Sequence, residues 1–236
     1  MNPLTRSIQE ALQAEADPRK APEMKRYMKS EMRYHGVPAP IQKKVFRTVF
    51  KQHPISEQDV WHESVLDLWR EAGHREERYA AIALSGLKAY RPLQTMKTLP
   101  MYEEMIVTGA WWDYVDSLSN RLGELLQDYP KPMTSRMYRW AKDKSMWKRR
   151  ASLICQLKLK QNTDTGLLFG NIIDNMADRE FFIRKAIGWA LREFSKTSPD
   201  EVIHFIHQHK QELSPLSKKE GLKVVLKQGR ISEMLV

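Results

Sequence analysis

Six short segments of related sequence recur along the chain at a nearly constant interval, and this limits the possible folds more than any other feature. They are Gln42–Phe46, Glu77–Ala81, Tyr114–Leu118, Lys148–Ser152, Ile183–Ile187 and Lys218–Leu222. Their fourth residue is small or β-branched: Val45, Ala80, Ser117, Ala151, Ala186 and Gly221, spaced by 35, 37, 34, 35 and 35 residues. A unit of that length holds two antiparallel helices and their turns, and stacking such units is the usual way they bury their apolar faces. A small residue at one fixed place would let the second helix of each unit approach its neighbour. The expected fold is therefore all-α, an α-solenoid of about six helix pairs stacked with a right-handed turn and forming one domain over residues 1–236.

The rest of the chain agrees with helices. Between the breaks the apolar residues recur at threes and fours, most clearly in Ile183, Ala186, Ile187, Ala190, Leu191 and Phe194, and no stretch alternates as a strand would. Pro18, Pro38, Pro40, Pro54, Pro92, Pro100, Pro130, Pro132, Pro199 and Pro215 fall where helices should begin or end. One cysteine, Cys155, excludes a disulfide framework and a cysteine-based zinc site. There is no signal-peptide pattern at the start and no long apolar run, so an intracellular, cytoplasmic location away from membranes is expected.

Charge says what kind of partner to expect. With 39 Lys and Arg against 29 Asp and Glu the chain is at +10, which favours an anionic partner, nucleic acid first. In five of the six copies the residue two before the small one is basic: Lys43, Arg78, Arg149, Arg184 and Lys219. One cation per repeat at one phase would form a concave positive track suited to a phosphate backbone. The same ladder could instead pair with acids of adjacent repeats. The third copy interrupts it with Val115 and Asp116.

That interruption carries the candidate chemistry. On a helical wheel Trp111, Val115, Leu118, Leu122 and Leu125 form the apolar stripe of the third copy, and Trp112, Asp116, Ser119, Asn120 and Gly123 lie opposite. Trp112 and Asp116 are i, i+4 neighbours, an indole beside a carboxylate. In the fifth copy Lys185, Trp189 and Arg192 share one face, where an indole between two cations suits stacking beside phosphate-binding groups. Arg150 has Met146, Leu153, Ile154 and Leu157 as its helical neighbours. A cation in such surroundings needs a partner, either an acid of an adjacent repeat such as Asp116 or a ligand phosphate. His204, His207 and His209 lack the spacing of a metal site, and neither a metal nor a cofactor is expected. Cys155 sits among apolar residues with no base and reads as an inert small hydrophobe.

Together these segments resemble the bacterial AlkD-type DNA alkylation repair glycosylases, which are built of HEAT-like helical repeats. The resemblance covers nearly the whole chain. It begins at Met24-Lys25-Arg26-Tyr27-Met28-Lys29 and is strongest in Trp111-Trp112-Asp113-Tyr114-Val115-Asp116-Ser117. It continues through Trp147-Lys148-Arg149-Arg150-Ala151 and the stretch from Phe181 to Glu193. It implies that Asp116 is the catalytic aspartate, that Arg150 is the active-site arginine and would hold a phosphate near the lesion, and that Trp112 and Trp189 are two exposed tryptophans at the site. It also implies that Tyr27 lies near the lesion and that Arg192 contacts the backbone. The implied reaction is release of N3- or N7-alkylated purines from double-stranded DNA by a monomer, without base flipping, cofactor or obligatory protein partner. The chain departs from the family at Pro38-Ala39-Pro40, where a polar Gln/Lys-Thr-Pro is usual, so side-chain contacts from positions 38 and 39 to the opposite strand are in question.

Overall fold

The computed structural model describes residues 2–231, and among them the chain is all-helical. The one strand-type pairing among these residues is an isolated bridge between Arg33 and His74. No described helix is long and apolar enough to cross a membrane. The chain divides into two compact units, Met1–Met101 and Tyr102–Val236.

The first unit contains α1 (Pro3–Ala14), α2 (Ala21–Met28), α3 (Ala39–Gln52), α4 (Gln58–Arg70) and α5 (Arg75–Ser85). α1 packs on α3, α4 and α5, and α3 lies beside α5. Pro3 and Pro40 sit in the first turns of α1 and α3, where a missing N–H costs nothing. Pro38 caps α3 in an extended conformation, φ −65° and ψ 150°. α2 buries none of its residues.

α6 (Leu99–Gly109) begins at the boundary, and the second unit continues with α7 (Trp112–Asp128), α8 (Pro130–Ala141) and α9 (Met146–Ile154). The remaining helices are α10 (Thr165–Ile173), α11 (Phe181–Phe194), α12 (Pro199–Gln208) and α13 (Pro215–Lys227). Within this unit α7, α9, α11 and α13 stand side by side in that order, each packed on the next. α8 backs α7 and α9, α10 packs on α8 and α9, and α12 packs on α11 and α13. The apolar stripe of α11 is buried from Ile183 to Phe194, against Leu153 and Ile154 of α9, Ile172 of α10, Phe205 of α12 and Leu222 of α13.

The six recurring segments fall on α3, α5, α7, α9, α11 and α13, the second helix of each pair. Five of the six small residues are buried at helix contacts, as the spacing predicts. The third requires a correction. Ser117 is exposed, and Val115, 35 residues after Ala80, occupies the buried place. The wheel is corrected at two more positions: Ser119 and Gly123, assigned to the polar face, are buried. A Cβ on Gly123 would lie 2.3 Å from the Cys155 carbonyl oxygen. A glycine is thus required where α7 meets the end of α9. Gly123→Ala should force the two helices apart and cost about 1–3 kcal/mol, read as a lower melting temperature with circular dichroism otherwise unchanged.

Candidate active site

The centre of the site is a carboxylate held by a guanidinium. Asp116 is one turn into α7, and Arg150 projects from α9 toward it. Arg150 Nε donates to Asp116 Oδ1 at 2.8 Å and Nη2 donates to Oδ2 at 2.9 Å, a two-pronged pair. The third nitrogen, Nη1, donates to the backbone carbonyl of Phe182 at the start of α11, at 2.6 Å. One arginine thus ties three successive helices of the row together. Arg150 is 3% exposed, so its apolar surroundings are as the sequence suggests and its partner is the acid.

Burial pushes the Asp116 carboxyl above its ordinary range. The Arg150 fork pulls it back and Asp113 adds a smaller push upward, but desolvation outweighs the arginine. Both oxygens accept N–H bonds, which is the hydrogen-bonding pattern of the ionised form. The Asp116 side chain keeps 14% of its surface, so it is held from behind yet still reachable.

Aromatic rings surround this pair. Trp112, at the first position of α7, lies one turn before Asp116 and is half-buried. Trp111 precedes the helix as its cap, outside the stripe to which the wheel assigns it. Its ring lies 6.3 Å from Trp147 and 6.1 Å from Phe182, and Trp147 lies 5.2 Å from Phe182. The Arg150 guanidinium lies over the Phe182 ring at 5.8 Å. The sequence reading missed Trp147 and Phe182 as members of this cluster. The only advance signal was their position at the starts of neighbouring second helices.

The fifth-copy face is built around a residue that the sequence reading also missed. Lys185 and Arg192 flank Trp189 on α11, and both bind Glu220 of α13, each at 2.9 Å. Lys223 joins them on the same carboxylate. Burial works against charge on Glu220, but Lys223 and Lys185 outweigh it and hold the carboxyl below the usual range. Three cations on one acid leave a local surplus of positive charge around Trp189, which is half-buried against the core rather than fully exposed.

The ladder residues divide. Arg149 binds Asp178 at 2.9 Å and the carbonyls of Asp143 and Lys144, which is the pairing alternative raised by the sequence. Lys43 and Lys219 are exposed, and Arg184 is half-buried. Arg78 stacks over the Trp69 ring at 4.6 Å. Tyr27, 81% exposed on α2, belongs with Lys43 and Arg78 to the first unit.

Cys155 is buried, and the loss of solvent pushes its thiol up to about 12. Thiolate is the reactive form, so the native protein should resist iodoacetamide at neutral pH. The same residue should alkylate fully once the chain is unfolded, as mass spectrometry would show. Of the histidine trio, His204 and His207 are exposed and His209 packs its ring on Phe205.

An arginine-braced carboxylate beside aromatic rings, in a row of stacked helices, defines a class: a helical-repeat protein with a buried acid–arginine pair at its centre. The comparisons agree. The family model described as DNA alkylation repair enzyme matches residues 8–225, and the chain belongs to that family. A solved structure, a predicted DNA alkylation repair enzyme from Enterococcus faecalis, is 28% identical. It superposes with a TM-score of 0.81 over 90% of this chain and 98% of that one. No curated protein matches.

Proposed function

We propose that this DNA repair protein is a monofunctional glycosylase that hydrolyses the N-glycosidic bond of N3- and N7-alkylated purines in duplex DNA, leaving an abasic site. The observation that carries the reading is the Asp116–Arg150 pair: a carboxylate kept anionic and aimed by a buried arginine, with surface left for a substrate. Alkylation at N3 or N7 puts a positive charge on the purine, so the base departs with the bonding electrons as a neutral leaving group and needs no strong acid. Cation character then develops at C1′ of the deoxyribose. A fixed carboxylate stabilises it electrostatically and costs no reorganisation during the reaction. Water adds to C1′ on that side, and its proton passes to Asp116 and then to solvent.

The aromatic faces have a role in the same step. Trp112, one turn from Asp116, and Trp189, between Lys185 and Arg192, present electron-rich faces to a sugar carrying positive charge. Lys185 and Arg192 would meet the flanking phosphates, with Arg184 and Lys219 of the same unit as further contacts, and Tyr27, Lys43 and Arg78 would be DNA contacts of the first unit. Arg150, buried and with all three nitrogens engaged, acts as a positioning residue for Asp116 rather than as a phosphate ligand. This chemistry requires no cofactor.

The test is direct. The protein is incubated with duplex DNA containing 7-methylguanine or 3-methyladenine, and free base and abasic sites are scored. Release of the base by wild type supports the reading. Tight, salt-sensitive binding of the duplex without release would replace it with a noncatalytic DNA-binding role for the same fold.

A further inference from the structure

The first unit contains a cluster of side chains that the reaction does not use. His35, His74 and Glu77 bring one donor atom each to a common point, all within 4.8 Å of one another. His35 Nε2 lies 2.7 Å from Glu77 Oε1, and His74 Nδ1 lies 3.2 Å from the same oxygen. The two imidazoles are stacked with centroids 3.7 Å apart and planes inclined by 24°, so His74, the more open of the two, must turn out of the stack for both nitrogens to reach one ion. We propose that these three residues form a binding site for a divalent transition metal of the zinc type, clamping the segment around His35 to the start of α5.

The donor set suits such an ion. Two imidazole nitrogens and one carboxylate oxygen favour zinc, cobalt or nickel over magnesium or calcium, which prefer oxygen alone. A tetrahedral zinc site holds its nitrogen and oxygen donors roughly 3.3 Å apart. The His74–Glu77 separation already has that value. The His35–Glu77 separation is a hydrogen-bond length and would open by about half an ångström as a metal replaces the shared proton.

The surroundings hold His35 and Glu77 in place without competing for their donor atoms. Glu77 uses its other oxygen, Oε2, for the Gly73 N–H at 2.7 Å and for Gln9 at 3.3 Å, so Oε1 serves the imidazoles alone. Glu76 accepts the backbone N–H groups of His35, Gly36 and Val37, which fixes the segment bearing His35. Gly36 has φ +85°, and a Cβ there would strike the Asp17 carbonyl, so the turn that delivers His35 requires glycine. The Arg75 N–H bonded to the Arg33 carbonyl fixes the other side. Hydrogen-bonded outer partners of this kind are what orient metal ligands. His35 and Glu77 are buried while His74 is partly open, so a water would complete the four-coordinate shell from the His74 side. Arg75 Nη1 donates to Ser30, and the guanidinium lies over the Tyr34 and Tyr79 rings.

The experiment uses the full chain, stripped with a chelator and titrated with Zn²⁺ and, separately, with Co²⁺. The expected result is one ion per chain, visible Co²⁺ absorption of tetrahedral intensity, and a melting temperature raised by roughly 5 °C or more at hundredfold excess over Kd. His74→Phe keeps a ring against His35 but removes a ligand, and Glu77→Gln removes the anionic one. Each should weaken binding by at least about tenfold in Kd. A variant with His204, His207 and His209 all changed to alanine should bind as wild type does, which tests the site even if a buried variant fails to fold. Absence of saturable binding, binding retained by folded His74→Phe, or binding lost with the surface trio would each overturn the proposal.

Discussion

Asp116→Asn should abolish release of 7-methylguanine while leaving affinity for undamaged duplex essentially unchanged. Removing one fixed electrostatic group from a reacting centre costs about 10²–10³ in rate, and here the lost group carries a full charge. Stability will change too, because the substitution leaves Arg150 buried with only neutral acceptors, the amide oxygen of the new side chain and the Phe182 carbonyl, and no counter-charge. Breaking a buried pair from one side costs about 3–5 kcal/mol, enough to lower the melting temperature of a chain this size by of the order of 10 °C. A pairing of variants separates the two effects. Asp116→Asn with Arg150→Met removes both charges, and its loss of stability should be well below the sum of the single losses. Its activity should stay at background. Recovery of base release along with stability in the double variant would show that the aspartate is structural and that the chemistry lies elsewhere.

The sequence made this pair findable for a physical reason. A carboxylate on the repeat helix where its neighbours carry cations, and an arginine among apolar residues in the next copy, are both anomalies against the pattern. Two anomalies one repeat apart face each other when the repeats stack. Lys185 and Glu220 follow the same logic, since they are also one repeat apart and the structure pairs them. Glu220 nevertheless passed unnoticed, because an acid beside the small Gly221 looks like an ordinary surface residue until the helix row is built. In the third copy smallness points to Ser117, because size is the only marker of close approach that the sequence itself offers. Val115 is buried there instead, so burial rather than smallness is what repeats. The histidine cluster could not be read at all. His35 and His74 lie on separate repeats and meet only through the turn at Gly36 and the bridge between Arg33 and His74. No local spacing carries that information.

Arg150→Met should move the acid limb of base release to higher pH, and this outcome separates an arginine that positions the aspartate from one that holds a phosphate. Methionine fills a similar apolar volume, so the core around Leu153 and Ile154 keeps its packing. Desolvation already raises the Asp116 carboxyl above its ordinary value, and Arg150 is the group that restrains the rise. Without the guanidinium the restraint is gone, the carboxyl rises further, and the protonated, inactive form persists to higher pH. Activity should fall on the acid side and recover in part as pH is raised. The stability profile has a definite sign. A folded-state value above that of the unfolded chain means that Asp116 contributes most favourably below the ordinary carboxylate range. That contribution is lost as pH rises through the folded-state value. In Arg150→Met this loss should be larger and occur at higher pH than in wild type, visible as a melting temperature that declines over a pH interval where wild type is flat. If Arg150 held a phosphate, the substitution would instead weaken binding to every duplex and reduce the slope of log affinity against log salt by about one. The acid limb would not move. A buried guanidinium with its nitrogens on Asp116 and the Phe182 carbonyl favours the first outcome.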